Sequence, residues 1–152
     1  MSQQITAEQF AQRVVECRLS NLNEMNKHMA AVEDTDTHEE FVQHLLKHEI
    51  LTNWQVTRIL EGQTRGYFYG DWKVLYLVGA GTFARVYRGV NSAHDVKAIK
   101  VLRNRYCSDV DQKEQFLREG RMVMKLRHPN ICLLYTSPSP RDRTRSRMPS
   151  SA

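Results

Sequence analysis

Apolar side chains recur every three or four positions through residues 1–62, which is the spacing of one face of a helix. Phe10, Val14 and Cys17 follow this spacing, and Phe41 and Leu45 follow it again further along the chain. A polar stretch separates the two groups. The pattern predicts a helical leader over residues 1–65, built from short helices with short connections, as a small bundle or paired hairpins.

Three helix starts are marked by a threonine followed three residues later by Gln or Glu, beginning at Thr6, Thr37 and Thr52. In such a capping box the threonine oxygen and the later side chain satisfy backbone N–H groups that the first helical turn leaves unpaired. We therefore expect a helix to begin directly after each of the three threonines.

From residue 66 the chain becomes rich in aromatic and β-branched residues, which favour strands. We expect strands at 67–69 with 72–78, at 86–90 and at 96–102, with a glycine-containing turn over 79–84. No helical segment separates these strands, so the pattern predicts an antiparallel meander. A helix over residues 109–126 follows, and the fold class is α+β.

Composition and charge argue against several classes of protein. The chain has 152 residues and a net charge of +5, but residues 132–152 hold four arginines against one aspartate. The remainder is nearly neutral, so we expect no nucleic-acid partner. Three widely spaced cysteines favour neither a disulfide framework nor a zinc site, and a reducing, cytoplasmic location is the expectation. The sequence contains no apolar run long enough to predict a membrane segment.

The chain changes character at Cys132, where Pro, Ser and Arg begin to dominate and apolar periodicity ends. This composition predicts a disordered tail over 132–152. The tail resembles translated sequencing-adapter sequence, and on that interpretation the natural sequence stops at Ile131. The alternative is a natural basic tail that binds RNA or an acidic surface.

The chemistry-bearing residues lie between 78 and 119. Gly79 and Gly81 sit in a hairpin that returns directly as a strand, an arrangement that lets backbone N–H groups approach phosphates. Lys100 lies inside an apolar strand and Glu119 on the apolar face of the 109–126 helix, so each needs a partner of opposite charge. An ordinary glycine hairpin with two exposed charges is the structural alternative.

In this order the residues resemble the small lobe of protein kinases, over residues 66–131, and the leader resembles that of bacterial eukaryotic-like serine/threonine kinases. The resemblance implies ATP as cofactor, Mg²⁺ in the intact kinase and a protein substrate. It implies that Lys100 holds the α- and β-phosphates and that Glu119 orients Lys100. The implied nucleotide-binding residues are Val78, Gly79, Ala80, Gly81, Thr82, Phe83, Ala84, Val86, Ala98 and Lys100. Ala84 departs from the family pattern, which has a glycine there.

The sequence contains no His-Arg-Asp catalytic loop and no Asp-Phe-Gly motif, which in kinases supply the catalytic base and the Mg²⁺ ligands. We therefore expect this chain to be inactive in phosphoryl transfer. Two alternatives remain: a pseudokinase-type nucleotide-binding scaffold, and a helical adaptor acting through residues 1–62. His44 and His48 share a helix face, but without further ligands they predict no metal site.

Overall fold

In the computed structural model, the described residues are 4–103, 110–111, 114–115, 118 and 133–135. The chain divides into two compact units, residues 1–67 and 68–152. The described part is α+β, with helices in the first unit and a sheet in the second. Within it, no helix combines the length and apolar character needed to cross a membrane.

The first unit contains four helices in its described residues. They are α1 (Ala7–Glu16), α2 (Leu22–Met29), α3 (Glu39–Lys47) and α4 (Asn53–Leu60). The prediction of short helices with short connections is confirmed.

Two of the three predicted capping boxes are formed. Thr6 accepts from the N–H of Gln9 at the start of α1, and Thr52 accepts from the N–H of Gln55 at the start of α4. In both boxes the glutamine side chain accepts from the threonine N–H in return. The backbone therefore begins each helix where the sequence predicts.

The predicted capping box at Thr37 is wrong. His38 is the N-cap of α3, and it makes no side-chain capping bond. The Thr37 hydroxyl instead donates to the Asp34 carboxylate, 3.5 Å away. The Glu40 carboxylate accepts from the N–H groups of Glu33 and Asp34. Thr37 and Glu40 therefore form hydrogen bonds within the loop before α3 and do not cap the helix.

The core of the first unit is formed by the apolar stripes of its helices. Phe10 and Val14 of α1, Met25 of α2 and Phe41 of α3 are fully buried. The rings of Phe10 and Phe41 meet edge to face, with centroids 6.3 Å apart. Burial of each large side chain contributes about 1.5–3 kcal/mol.

The end of the first unit is organised around Arg58. Its guanidinium lies 4.9 Å from the Trp54 ring centroid and 5.5 Å from that of Tyr67. Its Nη2 donates to the Arg65 carbonyl at 2.7 Å. Gly66 has φ +88°, a backbone conformation that favours glycine, and a Cβ there would lie 2.9 Å from Arg58 Nη2, so a larger residue would displace the end of the Arg58 side chain.

The second unit is a sheet of order β1-β2-β3-β4-β5. Its strands are β1 (Phe68–Tyr69), β2 (Trp72–Ala80), β3 (Ala84–Val90), β4 (Val96–Leu102) and β5 (Leu133–Tyr135). The first four pair antiparallel in chain order, as the sequence predicts, and β5 pairs parallel with β4.

Two segments differ from the prediction. The turn between β2 and β3 covers only residues 81–83, because Gly79 and Ala80 continue the ladder opposite Val86 and Arg85. Leu133–Tyr135 form a strand inside the tail predicted to be disordered, since β4 offers an edge to this apolar triplet. Of the predicted helix 109–126, residues 110–111, 114–115 and 118 are described, and these are helical.

One face of the sheet is closed by packing. Val74, Tyr87 and Ile99 are buried, and Tyr87 lies directly opposite Ile99 in the β3–β4 ladder. Gly89 shares this face with Tyr87, and a Cβ there would lie 2.3 Å from Ile99 Cδ1. The lack of a side chain at Gly89 therefore makes room for Ile99. The next residue in each strand alternates to the opposite face, which carries the candidate site.

Candidate functional site

A row of three residues crosses the sheet on the face opposite Ile99. Gly79 of β2 is the Cα partner of Val86 of β3, and Val86 is the partner of Lys100 of β4. Residues opposite each other in neighbouring strands carry their side chains on the same face. The amine of Lys100 and the glycine hairpin are therefore aligned across one surface, with Val86 between them. Both Val86 and Lys100 are half-buried.

Two further residues that the resemblance implies for nucleotide binding lie near this row. Ala98 precedes Lys100 by two positions on β4, so it shares the face, and it is half-buried. Val78 lies where the β2–β3 register shifts between Leu77 and Gly79, and its side chain is 60% exposed. The structure therefore brings Val86, Ala98 and Lys100 together on one face and places Val78 beside them at an irregularity.

The hairpin loop, residues 81–83, is exposed and held by backbone hydrogen bonds. The N–H of Gly81 donates to the Ala84 carbonyl at 2.8 Å, and the N–H of Arg103 donates to the Phe83 carbonyl at 2.8 Å. Ala84, which stands where the kinase pattern has glycine, is the first residue of β3 and is buried. The sheet thus accommodates its methyl group without disturbing the ladder.

Gly79 and Gly81 are not required by the fold itself. Neither is among the described glycines with positive φ. A Cβ at Gly79 would meet nothing within 4 Å, and one at Gly81 would meet only the Ala84 carbonyl oxygen at 3.5 Å. These positions leave open space beside the backbone on the surface of the hairpin. That space is what close approach of a phosphate group to the loop needs.

The partner predicted for Lys100 cannot be placed, because Glu119 lies outside the described residues. Within the predicted helix 109–126, the described residues, including Val110 and Arg118, have exposed side chains. The lysine–glutamate pair stays a prediction from the sequence.

A second cluster of chemistry-bearing groups lies in the first unit. It contains His28 of α2, His44 of α3 and His48, the C-cap residue of α3. Their ring centroids lie 4.3–6.1 Å from one another. Burial lowers the pKa of His44, and the charges of His48, His28 and Lys47 lower it further. Among the described residues, no group of three or more His, Cys, Asp or Glu side chains is arranged to hold a metal ion.

Cys17 lacks the character of a nucleophile. The thiol is buried and donates weakly to the Gln63 carbonyl, 3.8 Å away. Burial raises the pKa of the Cys17 thiol, so the thiolate is disfavoured. Tyr67 donates to the same carbonyl at 2.6 Å. We therefore assign Cys17 a structural role in the first unit.

Sequence reasoning missed two residues that the structure places at these sites. Arg103 Nε donates to the Gly81 carbonyl at 3.1 Å, which connects the end of β4 to the loop. His28 joins His44 and His48 from another helix. The position of Arg103, directly after the strand of Lys100, was a signal available in the sequence. Nothing local to His28 indicates its partners on α3.

Residues 73–144 match the family model of protein tyrosine and serine/threonine kinases. The match covers β2 from Lys73 onward, β3 and β4, and with them Gly79, Val86 and Lys100. It extends past Ile131 into the tail. No solved structure matches this chain. The matched strands are therefore similar in sequence to the kinase family, and their antiparallel order is consistent with a kinase small lobe.

Proposed function

We propose that residues 66–131 are the ATP-binding part of a serine/threonine protein kinase, whose intact form transfers the γ-phosphate of ATP to protein hydroxyl groups. The observation that carries this proposal is the row of Gly79, Val86 and Lys100 across one face of the sheet. The match of residues 73–144 to the kinase family supports it. The preference for serine and threonine over tyrosine is part of this proposal, and it rests on the resemblance of the leader and lobe to serine/threonine kinases.

The chemistry of the residues fits a nucleoside triphosphate. A lysine amine provides a positive charge for phosphate oxygens, and half-buried surroundings strengthen that attraction relative to bulk water. At Gly79 and Gly81 the hairpin presents backbone next to open space, where phosphate groups fit. Val78, Val86 and Ala98 supply apolar surface suited to the adenine ring. In this proposal Glu119 orients the amine of Lys100.

We further propose that this chain binds the nucleotide without transferring the phosphoryl group. Its sequence contains neither the His-Arg-Asp nor the Asp-Phe-Gly motif, which position the protein hydroxyl and hold Mg²⁺ in kinases. Lys100 and the loop bind the nucleotide, whereas phosphoryl transfer also needs a catalytic base and Mg²⁺ ligands. We retain a cytoplasmic location as part of the proposal, on the spacing of the cysteines.

The test is a titration of the full chain with ATP, in which calorimetry measures the affinity. We expect Lys100→Met to weaken ATP binding at least about tenfold, because a lost charged contact to phosphate is worth about 1.5–3 kcal/mol. Lys97→Met is the matched control, since Lys97 lies on the same strand with an exposed side chain. Equal affinities of the Lys100 variant and the unmodified chain would refute the role of this lysine.

A further inference from the structure

The loop that carries Gly81 is hydrogen-bonded to the residue that follows the strand of Lys100. Arg103 follows β4 directly, and its Nε donates to the Gly81 carbonyl at 3.1 Å. Its backbone N–H donates to the Phe83 carbonyl at 2.8 Å. Two of the three loop residues are thus bonded to a single residue at the end of β4.

We propose that Arg103 is a positioning residue that holds the glycine loop in place for a triphosphate, an inference that rests on the proposed function. The loop spans only residues 81–83 between the ends of β2 and β3, and its side chains are exposed. Apart from the ladder, the Arg103 bonds tie the loop to β4. Arg103 therefore fixes where the Gly81 backbone lies relative to Lys100.

The form of the arginine side chain suits this role. Nε lies within the planar guanidinium and donates in a fixed direction, whereas a lysine amine donates from the end of a flexible stem. With Nε directed at Gly81, the guanidinium also brings positive charge to the loop. Holding the loop before the ligand arrives reduces the ordering entropy that binding must otherwise overcome.

This role predicts a selective effect on ligands. A triphosphate contacts the loop, but adenosine, which has no phosphates, depends on the apolar surface of Val78, Val86 and Ala98. We expect Arg103→Ala to weaken ATP binding about tenfold, the value of one hydrogen bond from a charged group, and to leave adenosine affinity unchanged. The amide protons of residues 81–83 should exchange faster with solvent in the variant.

The experiment uses the full chain and measures affinities for ATP and adenosine together with amide exchange. Arg85→Ala is the matched control, because Arg85 is an exposed arginine on β3 next to the loop. It removes the same charge and leaves the two Arg103 bonds intact. An equal loss of ATP affinity in both arginine variants would show that net charge, not positioning, matters, and would overturn the inference.

Failure of the inference is distinguishable from failure of the proposed function. If Lys100→Met weakens ATP binding while Arg103→Ala changes neither ATP affinity nor amide exchange, the inference is wrong and the proposed function stands. If the unmodified chain binds no ATP, the proposed function fails. In that case, unchanged amide exchange at residues 81–83 in Arg103→Ala refutes the loop contact. Faster exchange shows that Arg103 stabilises the loop but has no role in nucleotide binding, which overturns the inference.

Discussion

His28 Nδ1 and His44 Nε2 lie 3.0 Å apart, joining α2 to α3 by a hydrogen bond between two imidazoles. Such a bond needs one ring nitrogen that carries a proton and one that does not. It survives a single added proton, because a cationic ring donates to a neutral one. It is lost when both rings are charged, and the rings then repel each other.

We predict that acidification destabilises the helical unit. The pKa of folded His44 lies below its ordinary value near 6.5, so the unfolded chain binds more protons in this range. The contribution of His44 to stability is therefore fully present above about pH 6.5 and is lost as the pH falls through the lowered pKa. Urea unfolding followed by far-ultraviolet circular dichroism at several pH values measures this trend.

Two histidine variants distinguish the contribution of His44 to the pH dependence from the effect of acid on other groups. His44→Gln should flatten the dependence of the unfolding midpoint on pH below about 6.5, because Gln does not titrate. His94→Asn, at an exposed turn position with φ 64°, should leave the dependence as it is in the unmodified chain. A pH dependence unaltered by His44→Gln would contradict the assignment.

Alanine at the hairpin glycines should separate binding from stability. Gly79→Ala and Gly81→Ala introduce a methyl group into open space, so we expect the thermal midpoint to stay unchanged while ATP affinity falls. Gly89→Ala should do the reverse, because its Cβ would collide with Ile99 Cδ1, at a cost of about 1–3 kcal/mol in unfolding free energy. Thermal unfolding and ATP titration of the three variants provide the measurement. Strong destabilisation by the first two substitutions would show that the fold itself needs these glycines.

The capping threonines should differ in their contributions to stability. Thr6→Ala and Thr52→Ala each remove a side-chain oxygen that accepts from a helix N–H, so each should lower the unfolding free energy by about 1 kcal/mol. Thr37→Ala removes only a long contact to Asp34 and should change it by less than about 0.5 kcal/mol. Chemical denaturation of the three variants checks this order, and an equally large loss at Thr37 would argue against the observed loop.

The role proposed for Lys100 in phosphoryl transfer can be tested in a longer protein that includes the catalytic-loop and Asp-Phe-Gly motifs. There we expect Lys100→Met to abolish autophosphorylation, because ATP would no longer be held in register for transfer. Incorporation of labelled phosphate measures the effect, with Lys97→Met as control. Full activity of the Lys100 variant would refute the assignment.

The sequence predicts the helices and strands well because their signals are local. The spacing of Phe10 and Val14 sets the buried face of α1, and the capping boxes at Thr6 and Thr52 depend on atoms three residues apart. The same local logic is wrong at Thr37, where Asp34 and the loop N–H groups compete for the capping side chains. That competition depends on the path of the loop, which no spacing rule contains.

The sequence by itself determined the α+β character, the glycine hairpin and a lysine inside an apolar strand, because each follows from residue type and short-range order. The tertiary structure decided which residues face one another. Lys100 lies opposite Val86, and Val86 opposite Gly79, only through the register of three strands, and the β2–β3 register shifts twice. The contacts of Arg103 with Gly81 and of His28 with His44 likewise join residues distant in the chain, so folding alone brings them within hydrogen-bond range.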